Sequence, residues 1–385
     1  MSAPFDVRLR GRVVFGPGTL ARLGELTRAF APERVLLVTD AGLVAAGVAG
    51  RARAALEAAG LAVAVHDQVR EDPTESSVAS ALAQAQDFRP QALVAVGGGS
   101  AIDTAKGLNF LLTGGGSLRD YRGPATARGP LLPLIAVPTT AGTGSEMQSY
   151  ALIAEDGTHR KLACGDPAAV PVVALLDPAL TRSVPRRVTA AAGADALVHA
   201  LECAVTRTRS SASLLFAHEA FRLVYHHLER AVADPGDDDA RAALLLGAAW
   251  AGQAIECSML GAAHAAANPL SARHQTVHGH AVALLAPHVI CYNAVAPDAR
   301  DAYRELARAA GLTASGAPVE PARLAELVSA RIAAAGLPLT LAAAGIDAPD
   351  FDALAADAAT QWTGQHNPRP VDAAAFAELY RLAAR

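Results

Sequence analysis

Ala92-Leu93-Val94-Ala95-Val96-Gly97-Gly98-Gly99-Ser100-Ala101-Ile102-Asp103-Thr104-Ala105-Lys106 is the stretch whose reading fixes the fold class. Five consecutive apolar residues bounded by glycine read as a strand buried on both faces, since a half-exposed strand would alternate apolar and polar side chains. Glycines directly after such a strand let the backbone approach a pyrophosphate closely. The helix that the pattern predicts from near Asp103 would offer unpaired N–H groups and a favourable dipole. A triple glycine alone is equally well explained by a tight turn; its place at the carboxyl end of a parallel strand favours phosphate.

Outward from this stretch the pattern repeats. Val35–Val38 reads as a strand, Gly42 to Ala59 as helical, Ala62–Val65 as a strand, and roughly Glu75 to Gln86 as a helix. Leu134–Val137 and Val172–Leu176 read as further strands. Apolar strands separated by helices predict a parallel, Rossmann-like α/β sheet covered on both faces. After Val184-Pro185 helical periodicity continues to Arg385, with Asp234-Pro235-Gly236 and Gly336-Leu337-Pro338 as breaks. The expected division is therefore an α/β domain over residues 1–184 and an all-α domain over 185–385. Ala242 to Leu270 is nearly continuous in apolar residues, but Gln253, Glu256, His264 and Asn268 interrupt it. It is expected to be a helix buried on all sides rather than a membrane span.

The composition narrows the function. The chain has 385 residues, 52% hydrophobic and 18% charged, with a formal charge of −4, so nothing suggests a nucleic-acid footprint. Aromatic residues make up 4%, too few for a base-stacking platform. The start, Met1 to Arg12, carries no apolar leader, and Cys164, Cys203, Cys257 and Cys291 form no CxxC pair. These features point to a cytoplasmic protein with reduced thiols.

Pro138-Thr139-Thr140-Ala141-Gly142-Thr143-Gly144-Ser145-Glu146 follows a second strand and supplies hydroxyls in a small-residue loop suited either to a dinucleotide or to capping a helix. Asp40 closes the strand Val35–Thr39; a carboxylate there would accept hydrogen bonds from ribose hydroxyls and repel a 2′-phosphate, or simply cap the next helix. In the helical half, Asp195 and His199 are spaced i, i+4 and share one helix face. With His264 and His278 they offer one carboxylate and three imidazoles, a set suited to Fe(II) or Zn(II) with room for a substrate oxygen. His280, His274 and the pair His226-His227 are other candidates, the pair expected to be solvated.

Taken in order, these motifs resemble the iron-containing alcohol dehydrogenase family. Phe15-Gly16-Pro17-Gly18-Thr19-Leu20 is similar to its FGxGxL, and Gly97 to Lys106 to its GGGSxxDxAK loop. Pro138 to Glu146 is similar to PTTAGTGSE, Gly193 to Glu202 to GxDAxxHAxE, and Asn367-Pro368-Arg369 to its C-terminal NPR. The resemblance implies the architecture shared with dehydroquinate synthases. It implies an NAD-linked alcohol dehydrogenase or aldehyde reductase holding Fe2+, or Zn2+, on Asp195, His199, His264 and His278. NAD is assigned to Asp40, Asp72, Gly97, Gly98, Gly99, Ser100, Asp103, Thr139, Thr140, Thr143 and Lys161. Asp72 stands where an asparagine is common, and Trp362 and His366 are expected near the substrate in a cleft between the domains. A homodimer or higher homo-oligomer is the expected assembly.

Two departures stand out. Where the family carries HxxxH the chain reads His264-Ala265-Ala266-Ala267-Asn268, and PHGxxNA becomes Val277-His278-Gly279-His280-Ala281-Val282-Ala283. The histidine often assigned to proton relay is missing, and His274, read as lying in a loop before His278, is the candidate to replace it, ordered water being the alternative. A dehydroquinate-synthase-like lyase and a binding protein that has lost its chemistry are the rival readings.

Overall fold

Uninterrupted apolar strands must be covered on both sides, and the sheet of the first unit shows how this is done. The computed structural model describes residues 5–157, 160–313, 317–347 and 349–385. The unit comprising Arg8–Thr140 and Gly144–Val184 contains β1 (Arg12–Phe15), β2 (Arg34–Val38), β3 (Ala62–His66), β4 (Ala92–Gly97), β5 (Leu134–Pro138), β6 (Tyr150–Ala154), β7 (Lys161–Gly165) and β8 (Val173–Leu176). Six of them form one parallel sheet in the order β1-β8-β5-β4-β2-β3, while β6 and β7 pair antiparallel. Helices α1 (Leu23–Arg28), α2 (Ala41–Ala45), α3 (Val48–Ala58), α4 (Glu75–Phe88) and α5 (Gly99–Gly114) belong to the same unit.

Successive strand side chains point to opposite faces, and the two cores divide accordingly. Leu36, Val38, Leu93, Ala95, Leu134 and Ala136 pack with Val78 of α4 and Ile102 of α5. Val35, Leu37, Val94, Val96, Ile135 and Val137 pack with Leu23 of α1 and Leu56 of α3. The expected parallel α/β sheet is therefore present, with both faces covered. From β2 the chain moves outward to β3 and then returns to β4 on the other side of β2. The carboxyl ends of β2 and β4 thus flank a topological switch point, where ligands of open α/β sheets bind.

Some boundaries differ from expectation. The helix after the glycines begins at Gly99, not near Asp103, with Gly98 as its N-cap. The helical stretch Gly42–Ala59 is broken at Gly47, whose φ of 73° is left-handed and costs a glycine little. The edge strand β1 and the β6–β7 pair were not foreseen.

The second unit, chiefly Pro185–Arg385 with Ala141–Thr143, has helices as its only regular elements among the described residues. It contains α6 (Arg186–Val205), α7 (Ser211–Ala233), α8 (Asp238–Cys257), α9 (Ala262–His274), α10 (His278–Asn293), α11 (Pro297–Ala309), α12 (Pro321–Ala334), α13 (Phe351–Ala359) and α14 (Ala373–Ala383), with a 3-10 turn at Trp362–His366. The apolar stretch read as one helix is two: α8 and α9 meet at a bend of 108°. His264 consequently lies in the first turn of α9, which runs on through Asn268 and Pro269 to His274. The loop before His278 is only Gln275–Val277. Among the described residues one helix, α6, is long and apolar enough to cross a membrane by length and composition, yet 89% of its apolar window is buried within the protein.

Candidate metal centre and cofactor loops

Helix α6 is buried over almost its whole length, so its few polar residues must find partners inside. Asp195, His199 and Glu202 follow one another at i, i+4 and i+7, which lines them along one face. Each is no more than 5% exposed. Opposite them, the first turn of α9 brings in His264, 4% exposed, and the first residue of α10 is His278, whose side chain is 40% exposed.

The four groups converge on one oxygen. Asp195 Oδ1 lies 3.3 Å from Nε2 of His264, 3.4 Å from Nε2 of His199 and 3.8 Å from Nε2 of His278. Asp195, His199 and His264 each offer a ligand atom within 4.8 Å of the others. The His199 and His264 rings stack at 4.7 Å, and those of His264 and His278 lie at 5.5 Å. Glu202 Oε2 accepts from His264 Nδ1 at 2.6 Å, which places that ring's hydrogen on Nδ1 and turns the Nε2 lone pair toward the cluster. His199 Nδ1 is buried without a hydrogen-bond partner.

The electrostatics suit a cation. Burial opposes charge on His264, but Glu202 and then Asp195 outweigh it and push the ring up to about 9. Burial pulls His199 down to about 4. Burial also works against ionised Asp195, yet the neighbouring imidazoles, His199 foremost, hold it well below the usual carboxylate range. Without an ion a proton on His264 supplies the positive charge beside Asp195; a bound cation would take that proton's place, facing the Nε2 atoms that lie 3.3–3.8 Å from the Asp195 oxygen. One carboxylate and three imidazoles form a borderline donor set that fits Fe2+ or Zn2+.

Asp40, Gly97, Gly98, Gly99 and Ser100 lie at the switch point, beside Thr139 and Thr140. Asp40 caps α2, its Oδ1 accepting from Leu43 N at 3.0 Å. A Cβ on Gly97 would stand 3.7 Å from Asp40 Oδ2 and 2.6 Å from the Ala101 Cβ, so only glycine fits there. Gly98 faces Thr140, whose Oγ1 would be 3.1 Å from a Cβ, and Gly99 and Ser100 form the first turn of α5. Thr139 N donates to Gly97 O at 3.0 Å, joining the two loops. Asp72 and Lys161 pair with each other at 2.5 Å near the β6–β7 hairpin. Thr143 is exposed.

Asp103 is turned toward protein. Its Oδ1 accepts from Ser145 Oγ at 2.5 Å and its Oδ2 from Leu152 N at 3.0 Å, so one oxygen braces the second loop and the other holds β6. His274 ends α9, exposed, and the structure does not bring it to the metal ligands. The pair read as solvated uses ring nitrogens on backbone: His226 Nε2 lies 2.8 Å from Ala310 O and His227 Nδ1 2.8 Å from Leu223 O.

Three functional side chains were quoted in motifs but given no role. Glu202 is one and Asn367 another. The third is Lys106, fully buried, whose Nζ donates to Ser145 O, Ser145 Oγ, Gln148 O and Tyr150 O at 2.7–3.1 Å. The signal available in the sequence was a charged residue inside an apolar helix, which must be paired if it is buried.

Comparison with known proteins agrees with this chemistry. The sequence signature "Iron-containing alcohol dehydrogenase" matches residues 11–178, and "Fe-containing alcohol dehydrogenase family, C-terminal" matches residues 189–384. The chain is 34% identical to the lactaldehyde reductase of Escherichia coli (strain K12) over 373 residues, 96% of this chain and 97% of that protein. It is 31% identical over 372 residues to the NAD-dependent methanol dehydrogenase of Bacillus methanolicus, covering 96% of this chain and 97% of that one. A solved 1,3-propanediol oxidoreductase superposes with a TM-score of 0.93 at 32% identity, over 99% of this chain and 100% of that one. The lyase reading is not favoured by these relatives; the chain belongs to the iron-containing alcohol dehydrogenase family and is an oxidoreductase acting on CH–OH groups.

Proposed function

We propose that this protein interconverts a small primary alcohol and its aldehyde with NAD, holding one divalent ion, Fe2+ before Zn2+, on Asp195, His199, His264 and His278. The observation that carries the reading is the convergence of three imidazole Nε2 atoms on one Asp195 oxygen within 3.8 Å. When bound, the ion supplies a Lewis acid for the substrate oxygen and NAD(H) supplies the hydride. The chain's own part is to fix these groups. Glu202 sets the His264 tautomer, stacking orients His199, and the half-exposed His278 leaves one side of the cluster open.

In this reading residues 1–184 serve NAD through Asp40, Gly97–Ser100, Thr139, Thr140, Thr143, Asp72 and Lys161, and residues 185–385 serve metal and substrate. Asp103 acts by bracing the loop at Ser145. The protein is cytoplasmic, which four free cysteines support, and works as a homodimer or higher homo-oligomer. Relatives named for lactaldehyde and 1,3-propanediol suggest small hydroxylated aldehydes as substrates.

NADH oxidation with Fe2+- and Zn2+-loaded protein over lactaldehyde, 3-hydroxypropanal, formaldehyde and butanal tests the reading. Turnover of at least one, abolished together with bound metal in His264→Ala, is expected. Turnover undiminished in a metal-free His264→Ala protein would overturn it.

A further inference from the structure

Gly261 and the first residues of α9 are buried, so the N–H groups that open this helix need partners within the protein. Two side chains from distant parts of the chain take them. Glu202 accepts from Gly261 N at 2.9 Å (Oε2) and from Ala263 N at 2.6 Å (Oε1), in addition to His264 Nδ1. Asn367 Oδ1 accepts from Ala262 N at 3.2 Å. Asn367 is itself locked: its Oδ1 receives Asn293 Nδ2 at 3.1 Å, and its Nδ2 donates to Asn293 Oδ1 and Arg369 O, both at 2.7 Å. Arg369 then donates to Tyr292 O at 3.0 Å and lies over the Tyr292 ring at 3.9 Å. A Cβ on Gly261 would come within 2.9 Å of Asn367 Oδ1 and 3.1 Å of Glu202 Oε1, so the bracket closes directly on the backbone.

We propose that Glu202 and Asn367 are the positioning residues of the metal centre. Glu202 sets which nitrogen of His264 carries hydrogen, and Asn367 ties the start of α9 to α10 and the C-terminal Asn367–Arg369 segment. This gives the Asn-Pro-Arg motif a role: it fixes where His264 stands without touching a ligand. Three N–H donors point at Glu202, so an amide in its place turns at least one of its own N–H groups against them, whereas Asn367 acts on backbone only. The inference rests on the metal reading above.

The test is Zn2+ affinity of chelator-stripped protein, by competition with a chromophoric chelator, alongside proton–nitrogen spectra of protein labelled with 15N-histidine. Glu202→Gln should weaken Zn2+ binding about 10–100-fold, leave NAD affinity unchanged and remove the strongly deshielded His264 Nδ1–H resonance. Asn367→Ala should weaken Zn2+ by less and keep that resonance. Wild-type Zn2+ affinity in Glu202→Gln, or in Asn367→Ala, overturns the role of the residue concerned. Should Glu202→Gln not fold, the unaltered protein decides: without a deshielded His264 Nδ1–H the tautomer role is wrong. If His264→Ala binds Zn2+ like the unaltered protein, the metal reading itself fails, and that outcome is separate from the others.

Discussion

Asn268 donates from Nδ2 to Oε1 of Gln361 over 2.9 Å. One turn beyond His264 in α9, a pair of carboxamides therefore stands where the relatives' pattern places an ionisable ring. Neither partner exchanges a proton near neutral pH, whereas imidazole does. His274 is ten residues from His264, about 15 Å along a helix axis. His274→Ala is expected to leave turnover and the pH–rate profile unchanged. Asn268→His should add an ionisation between pH 5 and 8, read from kcat against pH. A tenfold loss in His274→Ala would return the relay to that residue.

Gly279 packs the start of α10 onto α6 so closely that an added Cβ would lie 2.1 Å from Ala191 O. A backbone carbonyl cannot yield as a flexible side chain does. Gly279→Ala should cost roughly 1–3 kcal/mol in stability and draw the neighbouring His278 away from Asp195, lowering metal content. Denaturant unfolding together with metal analysis reads both effects, and a variant with full metal occupancy and unchanged stability contradicts the packing argument.

Lys106 holds the loop after β5 by its ammonium alone. Lys106→Met keeps the volume but takes the donor from the carbonyls of Ser145, Gln148 and Tyr150 and the nearby positive charge from Asp103. A loss of about 3–5 kcal/mol is expected, as when one partner of a buried charged network is removed. The midpoint of urea unfolding measures it, with NAD affinity falling in parallel; a shift worth under 1 kcal/mol would mean the ammonium organises little.

Burial pushes Glu146 up to about 7 from an ordinary 4.5. The folded protein then holds this proton where the unfolded chain has released it, so stability falls as pH rises from 4.5 to 7 and levels off above. Glu146→Gln should be more stable than the unaltered protein by about 3 kcal/mol at pH 8 and equal to it near pH 4.5. Parallel stability curves for the two proteins across that window would count against the shift.

Asp40 both caps α2 and presents its second oxygen beside Gly97. Asp40→Ser keeps a capping oxygen and removes the charge. NAD should be preferred over NADP by the unaltered enzyme, and kcat/KM with NADP should rise about tenfold or more in the variant as repulsion of the 2′-phosphate is lifted. Equal use of both cofactors by the unaltered enzyme would end this account.

Much of this was legible in the residues. Strands β2, β4 and β5 announce themselves because a sheet covered on both faces needs unbroken apolar runs. β1 is four residues at a sheet edge and β6 and β7 are a side pair, so neither carries enough pattern to separate it from a loop. The break at Ser258–Gly261 is hidden for a different reason: Met259, Leu260 and Gly261 continue the apolar composition, and only the Glu202 bracket across the chain gives the turn its purpose. Asp103 sits inside a motif that looks devoted to phosphate, and its true partners, Ser145 and Leu152, come from a segment some forty residues on. Which groups a buried carboxylate finds is settled by tertiary neighbours, to which local spacing is blind.

Helix α6 carries Asp195, His199 and Glu202 on one line, and this restricts something other than residue identity. Each residue advances a helix by about 100°, so a single insertion or deletion between Asp195 and Glu202 would swing one end of the line a quarter-turn away from the other. The bracket on α9 could no longer close while Asp195 faced His264. Substitutions in this segment can be graded in severity, but changes of length cannot. Inserted and deleted residues should therefore be confined to places such as the Asp234–Asp237 turn, and the interval from Asp195 to Glu202 should keep its length in every working form of the enzyme.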